Sequence, residues 1–148
     1  LSFAISPNDI PYVAYSDSQA SDKATVMRFT DPYWSTVGTA GFSGDVANST
    51  KIAIDSTDTP YVSYSDWSTS DGGVTVKKFN GYWWETIGTA SFSKGAIGTP
   101  FIALDSEDTP YVAYDDLATA NKGITVMKYN DSSWETVGEV SFSKGASG

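Results

Sequence analysis

The chain contains no histidine and no cysteine. The first absence removes Ser–His–Asp triads, imidazole bases and His-ligated zinc; the second removes thiolate nucleophiles, disulfides and Cys-ligated metals. Basic residues are scarce as well: 9 Lys and Arg stand against 18 Asp and Glu, a net charge of −9. A surface of that sign does not follow a phosphate backbone, so no nucleic-acid partner is expected. Long apolar runs are also missing, so no membrane span is expected. Leu1-Ser2-Phe3-Ala4-Ile5 carries neither the basic lead nor the apolar stretch of a secretory leader, and the sequence opens without Met. A processed product or a piece of a longer chain is the expectation. No Walker-type Gly loop, dinucleotide fingerprint or Gly-x-Ser-x-Gly elbow occurs, so no cofactor is expected. Missing cysteines fit either a reducing or an oxidising compartment.

What is present is an internal repeat within 148 residues rich in Trp (5), Tyr (9) and Phe (7). Pro11-Tyr12-Val13-Ala14-Tyr15 recurs as Pro60-Tyr61-Val62-Ser63-Tyr64 and Pro110-Tyr111-Val112-Ala113-Tyr114. Trp34-Ser35-Thr36-Val37-Gly38 recurs as Trp84-Glu85-Thr86-Ile87-Gly88 and Trp134-Glu135-Thr136-Val137-Gly138. Aligned at a shift of 50, residues 50–98 and 100–148 match at 28 of 49 positions. The first copy lacks one residue between Asp17 and Thr25, which marks an exposed loop there.

Each copy alternates apolar and polar residues in short runs broken by turn residues, which predicts strands and no helix. In the middle copy, strand a is Ile52–Ile54, strand b Tyr61–Tyr64 and strand c Val74–Phe79. Strand d runs from about Trp84 through Ile87 toward Phe92. Asp55 to Pro60 forms a tight a–b turn, and Asn80-Gly81 is a hairpin signal between c and d. The fold expectation is all-β: three four-stranded antiparallel β-propeller blades at 1–49, 50–99 and 100–148. A β-sandwich leaves the repeat unexplained, and 50 residues is long for one solenoid coil.

Carried by the Pro-Tyr-Val-x-Tyr-x-Asp and Trp-x-Thr-(Val/Ile)-Gly…Phe-Ser motifs, the whole chain resembles three tandem blades of a bacterial-type secreted β-propeller, a group with many lectin-like and adhesion proteins. The resemblance implies an extracellular or cell-surface location and a glycan as ligand. Propellers close with about 4 to 8 blades, so three leave a gap. The cut between repeats falls between blades, which leaves no split blade as a clasp. We therefore expect half of a six-bladed ring, closed by a head-to-tail homodimer, or else a filament or part of a longer propeller.

In an a-b-c-d blade, the b–c and d–a loops share one end, where propellers commonly bind ligands. That end collects the candidate ligand-binding residues Asp17, Gln19, Asp66, Trp67, Asp71, Asp116 and Asn121. Trp67 replaces Ser18 and Leu117 of the other copies, so the fold does not demand it, and an indole beside Asp and Ser can stack a sugar. It could equally cover a loop or a subunit contact. The recurrent Asp17, Asp66 and Asp116 suit either Ca²⁺ or turn capping, with capping favoured. The a–b acids Asp55, Asp58, Asp105 and Asp108 lack EF-hand spacing and read as turn residues; no metal site is assigned. The recurring Tyr12, Tyr15 and Trp34 and their equivalents read as core. Tyr82 and Trp83 lie at an outer turn and suit a lateral contact. Asn48 and Asn130 head N-x-Ser/Thr sequons in expected loops, open to glycosylation. The expected function is a non-enzymatic extracellular carbohydrate-binding module. Its alternatives are an assembly unit of a ring, fibre or surface layer, and a carboxylate-dependent glycoside hydrolase.

Overall fold

The computed structural model describes residues 1–95 and 98–143 and contains three four-stranded antiparallel sheets. The first sheet holds β1 (Ser2–Ile5), β2 (Pro11–Asp17), β3 (Lys23–Thr30) and β4 (Tyr33–Thr36), neighbours in chain order. The second holds β5 (Ala47–Ile54), β6 (Pro60–Asp66), β7 (Gly73–Phe79) and β8 (Trp84–Thr86). The third holds β9 (Phe101–Leu104), β10 (Pro110–Asp115), β11 (Ile124–Tyr129) and β12 (Trp134–Thr136). Each is a meander of the blade type. Among the described residues the one helical piece is a 3-10 turn at Ser18–Ala20, and no helix is long and apolar enough to cross a membrane.

Two expected strand limits move. The second sheet's inner strand starts at Ala47, ahead of the expected Ile52, and absorbs a bulge between Asn48 and Lys51. Its outer strand stops at Thr86, because Gly88 turns into the left-handed region at φ +70°. Beyond that point the chain still bonds to the sheet, through Ile87 N to Val76 O (2.9 Å) and Phe92 N to Val74 O (3.0 Å).

Strand alternation gives every blade two apolar faces. Val62, Tyr64 and Phe79 of the second sheet pack back against Tyr12, Ala14, Ala24 and Val26 of the first. Tyr61, Val74 and Val76 pack forward against Val112, Tyr114 and Met127 of the third. Both seams are closed by the same tryptophan. Trp84 stacks on Phe42 of the preceding blade at 4.1 Å between centroids and donates Nε1–H to the Val37 carbonyl at 2.9 Å. Trp134 stacks on Phe92 at 4.2 Å and donates to the Ile87 carbonyl at 2.9 Å. Glycine is required beneath each ring: a Cβ on Gly38 would fall 2.7 Å from Phe79, and one on Gly88 would fall 2.9 Å from Trp134.

Trp34 corrects the expectation of a uniformly buried set. It is 45% exposed where Trp84, stacked on Phe42 of the preceding sheet, is 7%.

Replacing Trp84 by Phe keeps an aromatic ring on Phe42 but strips the buried Val37 carbonyl of its donor. The expected loss is about 1–3 kcal/mol of stability, read as a lower urea midpoint.

Candidate functional site

The two ends of the blades spend their carboxylates differently. At the b–c end, one relay is repeated three times. The carboxylates of Asp17, Asp66 and Asp116 accept from the hydroxyls of Thr25 (2.9 Å), Thr75 (2.6 Å) and Thr125 (3.1 Å). Those hydroxyls in turn accept from the amides of Gly41 (2.8 Å), Ser91 (2.8 Å) and Ser141 (2.9 Å). Each aspartate therefore ties its b–c loop to the d–a connection. Asp17 also accepts from Gln19 N, and Asp66 from Ser68 N. Asp66 and Asp116 are buried, and among the described residues no cluster of three or more metal-ligating acids forms. Burial and the Asp66 charge push the Tyr64 hydroxyl pKa up, and burial with Asp116 raises that of Tyr114 to about 12.

The other four residues expected at that end are exposed: Gln19, Trp67, Asp71 and Asn121. Trp67 is 48% exposed and lies over Gly72, where a Cβ would fall 3.1 Å from the ring. Asp71 precedes Gly72 in the same loop, while Gln19 and Asn121 belong to other blades. None of the seven lines the clefts at the opposite end.

Those clefts follow from register. In every sheet, strands b, c and d align one row of side chains facing the next blade: Tyr12–Arg28–Ser35, Tyr61–Lys78–Glu85 and Tyr111–Lys128–Glu135. The row of one blade forms a wall, and the a–b and c–d turns of the following blade form the other. Between blades one and two the cleft measures about 470 Å³, with Tyr12, Arg28 and Val37 facing Asp58–Pro60, Phe79, Asn80 and Gly81. Between blades two and three it measures about 270 Å³, with Tyr61, Lys78 and Ile87 facing Glu107–Pro110, Tyr129 and Asp131. Lys78 and Glu85 border both. Burial opposes the charge of Lys78, but the Tyr61 hydroxyl, Asp55 and Glu85 outweigh it and hold its pKa above the ordinary lysine value. Its ammonium lies 5.3 Å from the Tyr61 ring centre.

Turn-to-turn hydrogen bonds set the mouth of each cleft. Asp108 accepts from the amide (2.9 Å) and hydroxyl of Ser56. Asp58 accepts from the amide (3.2 Å) and side-chain amide of Asn8. Pro7 occupies the position equivalent to Ser56 and has no N–H, so the contact passes to its neighbour. Asp9, Asp58 and Asp108 all sit at φ near +60°, a conformation that Asp tolerates better than most residues. Asp55 and Asp105 close the turns internally by accepting from Thr57 N and Thr59 N, and from Glu107 N and Thr109 N. The sequence reading of these acids missed the bridging role of Asp58 and Asp108, and with it the clefts. The signal available was the Tyr–cation register across strands b and c of every copy.

The sequons separate. Asn48 lies in strand β5 rather than the expected loop, exposed beside the bulge. Asn130 lies in the c–d turn, where its carbonyl accepts from Ser132 N and Ser133 N and its Nδ2 donates to Glu135 at 3.1 Å. Tyr82 and Trp83 occupy the equivalent turn of blade two and are exposed, as expected.

No protein-family model matches the sequence, and no curated protein matches it. Among solved structures, the fold is similar to that of a fucose lectin from Kordia zhangzhouensis in complex with methyl-fucoside. The TM-score is 0.60 at 10% identity, covering 93% of this chain and 97% of that one. At this identity the likeness shows the fold alone.

Two outcomes check the division between ends. Asp66→Ala leaves a buried hydroxyl and a loop amide unpartnered and should cost about 1–3 kcal/mol in urea unfolding, whereas exposed Asp71→Ala should stay within about 0.5 kcal/mol. At the other end, the Asn8 amide holds the Asp58 carboxyl below its ordinary value of 3.8. A depressed folded pKa means that its stabilisation is complete above the unfolded value and is lost as pH falls through the folded one. NMR titration should place Asp58 below 3.8, and Asn8→Ala should move it upward.

Proposed function

We propose that the protein is a non-enzymatic carbohydrate-binding module whose inter-blade clefts hold the sugar. The observation that carries this reading is the recurrence in both seams of one chemical set: a cationic side chain, a tyrosine, an aspartate and an aromatic ring from the next blade. A pyranose presents vicinal hydroxyls, which charged groups bond strongly, and an apolar C–H face, which an aromatic ring covers. The lectin of similar fold supports this class of ligand. A chain of net charge −9 repels polyanions, so a neutral glycan is favoured over a sulfated or sialylated one. Glycans of that kind are displayed on cell surfaces and in the extracellular space, the location we assign.

A hydrolytic role fits less well. A general acid must donate a proton to the leaving group, and the Asp58 and Asp108 carboxylates at the cleft mouths are engaged as acceptors by Asn8 and Ser56 of the neighbouring turns. The second binding reading is the Trp67 platform at the b–c end, favoured by its half-exposed indole over Gly72. The assembly reading draws on the apolar flanks of the end blades.

Titration calorimetry with neutral methyl glycosides, methyl-fucoside included, separates these readings. Lys78→Ala should weaken binding by about 10–100-fold, the worth of a charged hydrogen bond, and Trp67→Ala should leave it unchanged. A blank glycan panel rejects the proposal, and loss with Trp67→Ala alone moves the site to the b–c end.

A further inference from the structure

The chain's two end flanks are the two halves of a seam that it already builds twice. The trailing face of blade three has the receiving groups without their visitor. Val137 is 39% exposed where its equivalent Val37 is 5%, Phe142 is 50% exposed, and a Cβ on Gly138 would meet nothing within 4 Å. Val126 and Tyr111 are half-buried, whereas Val26, Val76, Tyr12 and Tyr61 are buried. The leading face of blade one has the visitor without its receivers. Among the described residues nothing accepts from Trp34 Nε1, and Phe3 is 60% exposed where its equivalent Ile52 is 7%. Val13 and Tyr15 are half-buried, whereas Val62, Val112, Tyr64 and Tyr114 are buried.

We propose that a second copy of this chain docks its blade one onto blade three of the first, and reciprocally, closing a six-bladed ring in which two clefts are assembled across subunits. The internal seams dictate the contacts. Trp34 of the copy stacks on Phe142, lies over Gly138 and donates to the Val137 carbonyl, as Trp84 does to Phe42, Gly38 and Val37. Asp9 of the copy receives the amide and hydroxyl of Ser106, as Asp108 receives those of Ser56. A head-to-tail contact that closes after two copies satisfies every such half-interface and leaves no apolar edge. Six blades also lie inside the range in which propellers close.

The third type of cleft depends on this pairing. One wall is the row Tyr111–Lys128–Glu135, in which Lys128 and Glu135 are ion-paired at 3.4 Å. Its opposite wall, Asp9 to Pro11 with Phe29, exists only on the leading face of a blade one. That this cleft binds sugar rests on the proposed function; the ring itself does not.

The test is the mass of the 148-residue protein in solution without sugar, by light scattering on a sizing column. The expected species has twice the 15.8 kDa of one chain. Trp34→Ala should shift it to single-chain mass at micromolar concentration with its strand circular dichroism intact. Tyr33→Ala is the control: Tyr33 is 75% exposed, and Trp83, which replaces it beside the filled seam of blade two, is still 63% exposed. It should remain paired. A single-chain mass for the unaltered protein, an open series of heavier species, or pairing indifferent to Trp34→Ala each overturns the proposal. Calorimetry then reads the sugar separately. A ring that binds no glycoside leaves the pairing standing and removes the proposed function, while a single-chain binder does the reverse.

Discussion

Everything in this molecule depends on an indole inserted between blades. A four-stranded meander buries little by itself, because both of its faces are apolar and each needs a neighbour. Trp84 and Trp134 supply the link in three ways at once: stacking area against Phe42 and Phe92, a directed bond to a backbone carbonyl, and a close fit over Gly38 and Gly88. The bond fixes the rotation of one blade against the next, which apolar area cannot do because it is non-directional. Relative blade rotation in turn sets how far the next a–b turn stands from the Tyr–cation row. The width of the cleft is therefore a consequence of the seam.

That dependence explains how the two internal clefts hold their charged groups in fixed orientations. Lys78 stands between Tyr61 and Glu85 on its own sheet, held by register on both sides. Asp58 is engaged by Asn8 of the neighbouring turn. Each ion has a partner that orients it, and the cavity between them stays open to a ligand. Preorganised polar groups of this kind bind hydroxyls without the cost of ordering themselves first.

The repeat, the strand order and the recurring d-strand tryptophan were legible in the sequence because each recurs three times and each has a local cause: period-two alternation, c–d turns headed by Asp or Asn, Gly after the d strand. The site was less legible, since it forms between copies, and a linear reading compares copies instead of facing them. Asp58 and Asp108 looked like turn acids, which they are by backbone conformation; their reach into the preceding turn is a tertiary fact. Asp17, Asp66 and Asp116 were read with capping favoured over ligation, but the threonine link to the d–a segment depends on Thr25, Thr75 and Thr125, eight or nine residues away. The exposure of Trp34 followed from no local signal, since the Trp-x-Thr-(Val/Ile)-Gly motif is shared with Trp84 and what differs is the packing partner, Phe42 beneath Trp84.

What varies among the copies points the same way. The relay at the b–c end is invariant in type, whereas the cleft walls change: Arg28, Lys78 and Lys128 in the cation position, Phe29, Phe79 and Tyr129 in the ring position, Ser35, Glu85 and Glu135 in the third. Architecture needs sameness at the seams, and the seams have it. A row that keeps a cation and an aromatic ring while its third position changes from Ser35 to Glu85 and Glu135 would present graded clefts at fixed spacing. Several such sites on one rigid frame gain affinity for a repetitive ligand surface by raising the effective concentration for the second contact, even where each alone is weak. The acidic excess discourages polyanions, so under the proposed function neutral, densely displayed glycans are the favoured surface.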